Sequence, residues 1–326
     1  MPYPANITHL GSLEVAGVPT LGSPGIMTTF GTVFYVNSNT DEGSDSNDGL
    51  TMESAKATVL AAYNLTTSNA HDVVVMSGSS PHVFADELIV AKNRVHFVGL
   101  GGGSRYLGQR TRWTMGVTTG SAIALLQVTG VGCTFTNIKM TSADTLAASL
   151  YCVADGGEFT QFTNCWFEKN TDLNQTTAAE FLCNSDTGYY LRCTFGNTIY
   201  EVTVARQSVL CTRETITGKV ARDCIWEDCL FQQRSTASTN VNIRATGNDL
   251  ERMMLFRKCI FWNAKTSSGL QSLAFGIASV LTDAEVLLDR CTLQNIVDVA
   301  AASRGVFTNS VTPIATGTES VEVTTT

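Results

Sequence analysis

Three carboxylates crowd one strand-like phrase, DCIWEDCLF, at Asp223, Glu227 and Asp228. Two carboxyl groups at a defined separation across a sugar ring can hydrolyse a glycosidic bond, one as acid and one as base or nucleophile. Glu227 and Asp228 are adjacent, so in a strand they point to opposite faces and do not serve one site. Asp223 and Glu227 lie four apart with room for a bend between them, and the sequence does not set their separation. Surface solubility is the simpler reading of all three, and no catalytic residue is assigned.

The acidic run Asp41, Glu42, Asp45 and Asp48 raises the question of calcium. A calcium loop needs ligands at alternate positions, a central glycine and a distal glutamate. From Asp45 the register gives Asn47 and then Gly49, and the pattern fails. Asn-Asp-Gly is also a common turn sequence, so a turn and a helix cap are the expected roles. The histidines His9, His71, His82 and His96 show no metal spacing. His96 alternates with Val95 and Phe97 and should face outward from a strand. No Ser-His-Asp or Cys-His set is identifiable, and neither metal nor cofactor is expected.

GLGGG at residues 99–103 follows a strand, but no helix or later acidic partner comes after it. A tight turn explains it better than a dinucleotide loop. Arg105, Arg110 and Arg112 form the basic cluster of the chain, beside Tyr106 and Trp113. They read as a solvated loop or as a contact to an acidic neighbouring subunit, with a sugar as a weaker option.

The elements that must position these groups repeat. A cysteine followed two places later by an apolar residue recurs in GVGCTF, FTNCWF, YLRCTF, WEDCLF, FRKCIF and LDRCTL. The cysteines are Cys133, Cys165, Cys193, Cys229, Cys259 and Cys291, spaced by 32, 28, 36, 30 and 32 residues. Irregular repeats near this length mean stacked structural units. Alternation within each phrase means a strand with one buried face. The six cysteines should therefore form a reduced ladder on one inner face, each acting as a small buried hydrophobe. Cys224 with Cys229 is too isolated to be half of a zinc site. A reduced ladder implies folding in a reducing cytoplasm.

Composition agrees with a long core. Of 326 residues 44% are hydrophobic, and the net charge is −8 with 21 basic residues. That lacks the broad basic footprint of a nucleic-acid binder. MPYPANITHLGS has no basic leader and no apolar h-region, so no secretory leader is expected. No apolar run reaches the roughly 18 residues of a membrane span. The Asn-x-Thr sequons at Asn6, Asn64 and Asn174 are taken as chance matches.

Four segments follow. Residues 1–32 read as an extended arm, with Leu13, Val15, Val18, Leu21 and Ile26 as candidate interface residues alongside Arg105, Arg110 and Arg112. Residues 33–70 hold an opening strand, a turn and an amphipathic helix over 53–67, with Ala55, Val59, Ala62, Tyr63 and Thr66 at helical spacing. Such a helix covers the open end of the first coil. Residues 71–308 form the solenoid, with two strands across a short turn in each later unit. Its variable lengths fit loops inserted on one side, as at 169–179 and 232–239. Residues 309–326 read as a second arm. About seven coils at a 4.8 Å spacing would make a rod roughly 35 Å tall.

The segment VFYVNSNTDEGSDSNDGLTMESAKATVLAA, followed by DVVVM and VHFVGLGGG, resembles the opening of pectin-lyase-like right-handed parallel β-helix proteins. It is most like versions encoded among virion structural genes of tailed bacteriophages. The resemblance covers roughly residues 12–300 and is sharpest over 33–101. It implies an all-β, right-handed parallel β-helix solenoid with an N-terminal capping helix and extended terminal arms. Enzymes of this fold usually act on polysaccharides through carboxylates, sometimes with an arginine and calcium. With no such constellation evident, the expectation is a non-enzymatic capsid decoration or cement protein. It would be a homotrimer on the outer capsid surface of the virion, bound to the major capsid protein, with no nucleic-acid or membrane partner. The alternative is a tailspike or fibre that binds or cleaves host glycans.

Overall fold

The recurring alternation of inward and outward residues resolves into three strands per turn. The computed structural model describes residues 31–39, 42–101, 111–115, 122–143, 149–170, 178–199, 201, 206–213, 219–235, 237, 239–248, 250–264, 271–279 and 285–300, together with short terminal strands. Each turn gives one strand to each of three parallel sheets. The first runs from Val33–Val36 to Val306–Thr308, the second from His82–Phe84 to Val311–Pro313, and the third from Leu88–Val90 to Ile296–Ala300. Among the described residues the sheets hold ten, nine and eight parallel strands, and the second adds the antiparallel Ser320–Glu322 as a tenth. The chain is a right-handed parallel β-helix with very little helix.

Parallel, in-register pairing stacks like on like. In the first sheet Phe135 pairs with Phe162, Phe162 with Tyr190, Tyr190 with Trp226, and Trp226 with Phe256. In the second, Phe167, Phe195, Phe231 and Phe261 form a column with centroid spacings of 5.0, 4.9 and 4.8 Å. All of these rings are fully buried. Each contributes on the order of 1.5–3 kcal/mol by burial, and each stacked pair adds about 0.5–1.5 kcal/mol.

The corner between the first and second sheets is one left-handed residue. Asn137, Asn164, Arg192, Asp228, Lys258 and Arg290 occupy it with φ between 52° and 59°. The next residue turns inward, and this is the ladder position. It holds Cys165, Cys193, Cys229, Cys259 and Cys291, all buried and free. Each thiol lies near two carbonyls, its own chain two residues back and the inward residue one turn before. For Cys229 these are Glu227 at 3.4 Å and Tyr190 at 3.3 Å.

Cys133 does not belong to this ladder. Pairing of Lys139 with Trp166 puts Ile138 opposite Cys165, so FTNIKM is the true counterpart of FTNCWF. Each turn has a second left-handed corner, entering the first sheet at Gly132, Phe159, Thr187 and Asp223. Cys133 follows that corner, in one column with Thr160, Gly188 and Cys224. Its Cys-x-apolar phrase matches by composition and differs by a corner.

The expected helix over 53–67 is a seven-residue helix, Val59–Leu65, capped by Thr58, whose side chain accepts from the Ala61 amide. The shortening has a local cause. Asp45 accepts from the Ala57 and Thr58 amides at 3.0 and 2.9 Å and so holds the preceding chain in a loop. Val59, Ala62 and Tyr63 still join the main core, closing the first coil. The 1–32 segment includes a three-stranded antiparallel sheet, Glu14–Val15, Val18–Leu21 and Met27–Thr28, rather than a purely extended arm. At the other end Val311–Pro313 continues the second sheet and pairs antiparallel with Ser320–Glu322.

Candidate functional site

The carboxylates singled out in the sequence are spent on local partners. Asp223 pairs with Arg252 at 2.8 Å and Asp228 with Arg192 at 3.7 Å, while Glu227 accepts from the Tyr189 hydroxyl at 2.9 Å. They lie on the first sheet and at its two corners and do not converge. Asp48 accepts from the Leu50 amide and the Ser54 hydroxyl, which hold its carboxyl below the usual range. Asp45 serves as the helix brace, and Asn37 donates to Glu42. No cluster of metal-binding side chains occurs among the described residues. His96 points outward as expected but is buried, its ring stacked on His71 and hydrogen-bonded to Thr134. Gly99 ends a strand where an added Cβ would lie 2.4 Å from the Asn137 carbonyl.

Arg112 is exposed on the outer face of the second sheet. Expectations placed on Leu13, Ile26, Asp41, Arg105 and Arg110 fall outside the described residues, as do the side chains of Val15, Val18 and Leu21.

Among the described residues, that outer face carries a concavity. Phe167 and Phe261 face the core, so their neighbours Trp166 and Trp262 face out. Register then aligns two rows. Lys139, Trp166, Thr194, Leu230 and Ile260 form one, and Gln232, Trp262 and Gln294 extend the row that begins with Thr141 and Glu168. A groove of about 360 Å³ runs along them, walled by Asn197, Thr198 and Ile199 from the second-to-third-sheet connection. Ile199 is 73% exposed. The strands bearing Trp166 and Trp262 are three spacings apart, about 14 Å.

The groove is pre-formed by hydrogen bonds. The Trp166 indole N–H donates to the Gly196 carbonyl at 2.9 Å, and the Gln232 amide donates to the same oxygen at 3.0 Å. The Lys139 ammonium sits 4.0 Å from the Trp166 ring centroid and 3.0 Å from Glu168. Burial raises the Glu168 carboxyl above its ordinary range, and Lys139 opposes that shift. Flat indole faces beside amides that both donate and accept suit a sugar, which has an apolar C–H face and a rim of hydroxyls. Sequence reading passed over both tryptophans. The signal was present in CWF and IFW, where the ladder cysteine forces phenylalanine inward and hence tryptophan outward.

No family model matches the chain, and no curated protein matches it. Solved structures do. A pectin methylesterase from Aspergillus niger aligns with a TM-score of 0.51 at 14% identity, covering 94% of each chain. The pectate lyase Pel9A aligns with a TM-score of 0.50 at 8% identity, covering 84% of this chain and 78% of that one. Geobacillus virus E2 ORF18 aligns at 0.39 and 12% identity over 86% of this chain and 61% of that one, too loosely to carry an argument. At these identities the alignments establish the β-helix fold alone.

Proposed function

We propose that this protein binds an extended polysaccharide along the outer face of its second sheet, as a tailspike or fibre β-helix would. The observation that carries the reading is the placement of Trp166 and Trp262 at two points of one groove whose floor holds Gln232 and Gln294. Similar folds that act on pectin or pectate by name agree with it. Among the described residues Glu168 is the one carboxyl lining the groove, whereas acid–base hydrolysis uses a pair. The reading is therefore binding. The capsid-decoration alternative draws on the terminal arms and the arginine loop, and of the candidate interface residues there Arg112 alone has a described side chain.

The test is titration of immobilised bacterial surface polysaccharides and plant polyuronates with the purified chain and with Trp166→Ala and Trp262→Ala. Either substitution should weaken retention at least tenfold while leaving the unfolding midpoint near that of the parent, since both indoles are partly exposed. Unchanged retention in both variants would refute the groove. Release of new reducing ends, lost in Glu168→Gln, would convert the binding reading into a catalytic one.

A further inference from the structure

The charge on the groove narrows the class of glycan. Glu168 is the ionisable residue that lines it among the described residues, and its charge is met by Lys139 at 3.0 Å. Arg234, beyond the wall, is paired with Glu201 at 3.5 Å. Arg112 sits two strands before Trp166, outside the lining. What remains facing the cavity is amides, hydroxyls, aliphatic groups and two indoles. Among the described residues no unpaired cation lines this space, so a carboxylate entering it would be desolvated without one to receive it. It would also lie near the Glu168 charge, and such a mismatch rejects a ligand as effectively as a clash.

We infer that the groove selects neutral glycans over uronates, and takes a segment of about three sugar rings lying along the solenoid axis, the span between the two indole-bearing strands being about 14 Å. This rests on the glycan reading above and goes further in naming the charge class and the direction of the chain. Glu168 acts here as a specificity residue. By holding Lys139 against the Trp166 ring, it keeps an ammonium from serving as an anion receptor.

The experiment compares matched hexasaccharides, neutral glucan and galactan against oligogalacturonate and oligomannuronate, by calorimetry on the full chain. The expected result is a neutral ligand bound at least tenfold tighter than either uronate, with an affinity insensitive to salt. Tighter uronate binding would overturn this inference and leave the glycan reading intact. Binding of none of them, nor of any polysaccharide in the retention panel, would overturn both. Glu168→Gln supplies an arm that loss of folding cannot mimic. It frees Lys139, so uronate affinity should rise about tenfold and fall again with added salt. Absence of that gain would also sink the proposal.

Discussion

Tyr190 and Trp226, on consecutive turns of the first sheet, stack with ring centroids 3.8 Å apart and planes 17° from parallel. The Tyr190 hydroxyl donates to Asp155 at 2.7 Å, so the aromatic column also fixes a buried carboxyl. Trp226 meets Phe231 at 5.7 Å, and the next residue, Gln232, faces the groove. The buried column and the groove floor are thus joined through consecutive residues of one strand.

Asp155 should make stability pH-dependent. Burial raises its carboxyl to about 7 from 3.8, against the hydrogen bonds from Thr160, Tyr190 and the Gly157 amide. Between those values the folded chain holds more protons than the unfolded one, so this contribution falls as pH rises and levels off above about 7. Asp155→Asn keeps an acceptor and removes the titration. In urea unfolding, the stability of the parent minus that of the variant should decline from pH 4 to 7. A constant difference would show that Asp155 does not titrate as described.

The ladder thiols should be inert. Burial pushes the Cys193, Cys229 and Cys259 thiols well above their ordinary range, and the thiolate is the reactive species. Labelling of native protein with a thiol reagent should be slow and reach completion on unfolding. Cys229→Ser can still donate to the Tyr190 or Glu227 carbonyl and should cost far less than Cys229→Asp. The latter buries an unpaired charge and should cost several kcal/mol, about 3 or more. Rapid native labelling of several ladder positions would contradict the packing.

Lys258 turns a corner with φ of 52° and donates its amide to the Asp289 carbonyl at 2.8 Å. A β-branched residue is strained there, so Lys258→Val should lower stability by about 1–3 kcal/mol. Lys258→Gly should be close to neutral, because freedom at positive φ offsets the larger unfolded-state entropy. Equal midpoints for the two variants would argue against a left-handed corner.

Lys92 closes the C-terminal end of the capping helix, its ammonium donating to the carbonyls of Tyr63, Asn64 and Thr66 at 2.8, 3.0 and 2.7 Å. It also lies over the Tyr63 ring. Lys92→Met should cost about 1.5–3 kcal/mol, the usual worth of hydrogen bonds to a charged group. Faster amide exchange should appear in residues 59–66 before any change in the middle turns. Loss spread evenly along the rod would mean that the helix is not a separate cap.

The repeat was legible because the ladder position is chemically narrow. It faces inward just after a left-handed corner, and cysteine or isoleucine fills it. GVGCTF misled because two corners per turn both precede small inward residues, and a sequence spacing near thirty does not say which corner is meant. Three strands per turn were not legible either, since Thr194–Phe195 is only two residues long. The groove was hidden for another reason. Trp166 and Trp262 come from phrases 96 residues apart in sequence, and only register brings them onto one face.

Parallel register makes groove length a discrete variable. One turn separates Trp226 from Phe256, 30 residues on, and its removal at equivalent corners would keep both Trp166 and Trp262 and leave the remaining turns in register. The platform between the indoles would shorten by one step of about 4.8 Å. The reach of the proposed glycan-binding face is therefore set by counting coils, much as a ruler is cut at its marks.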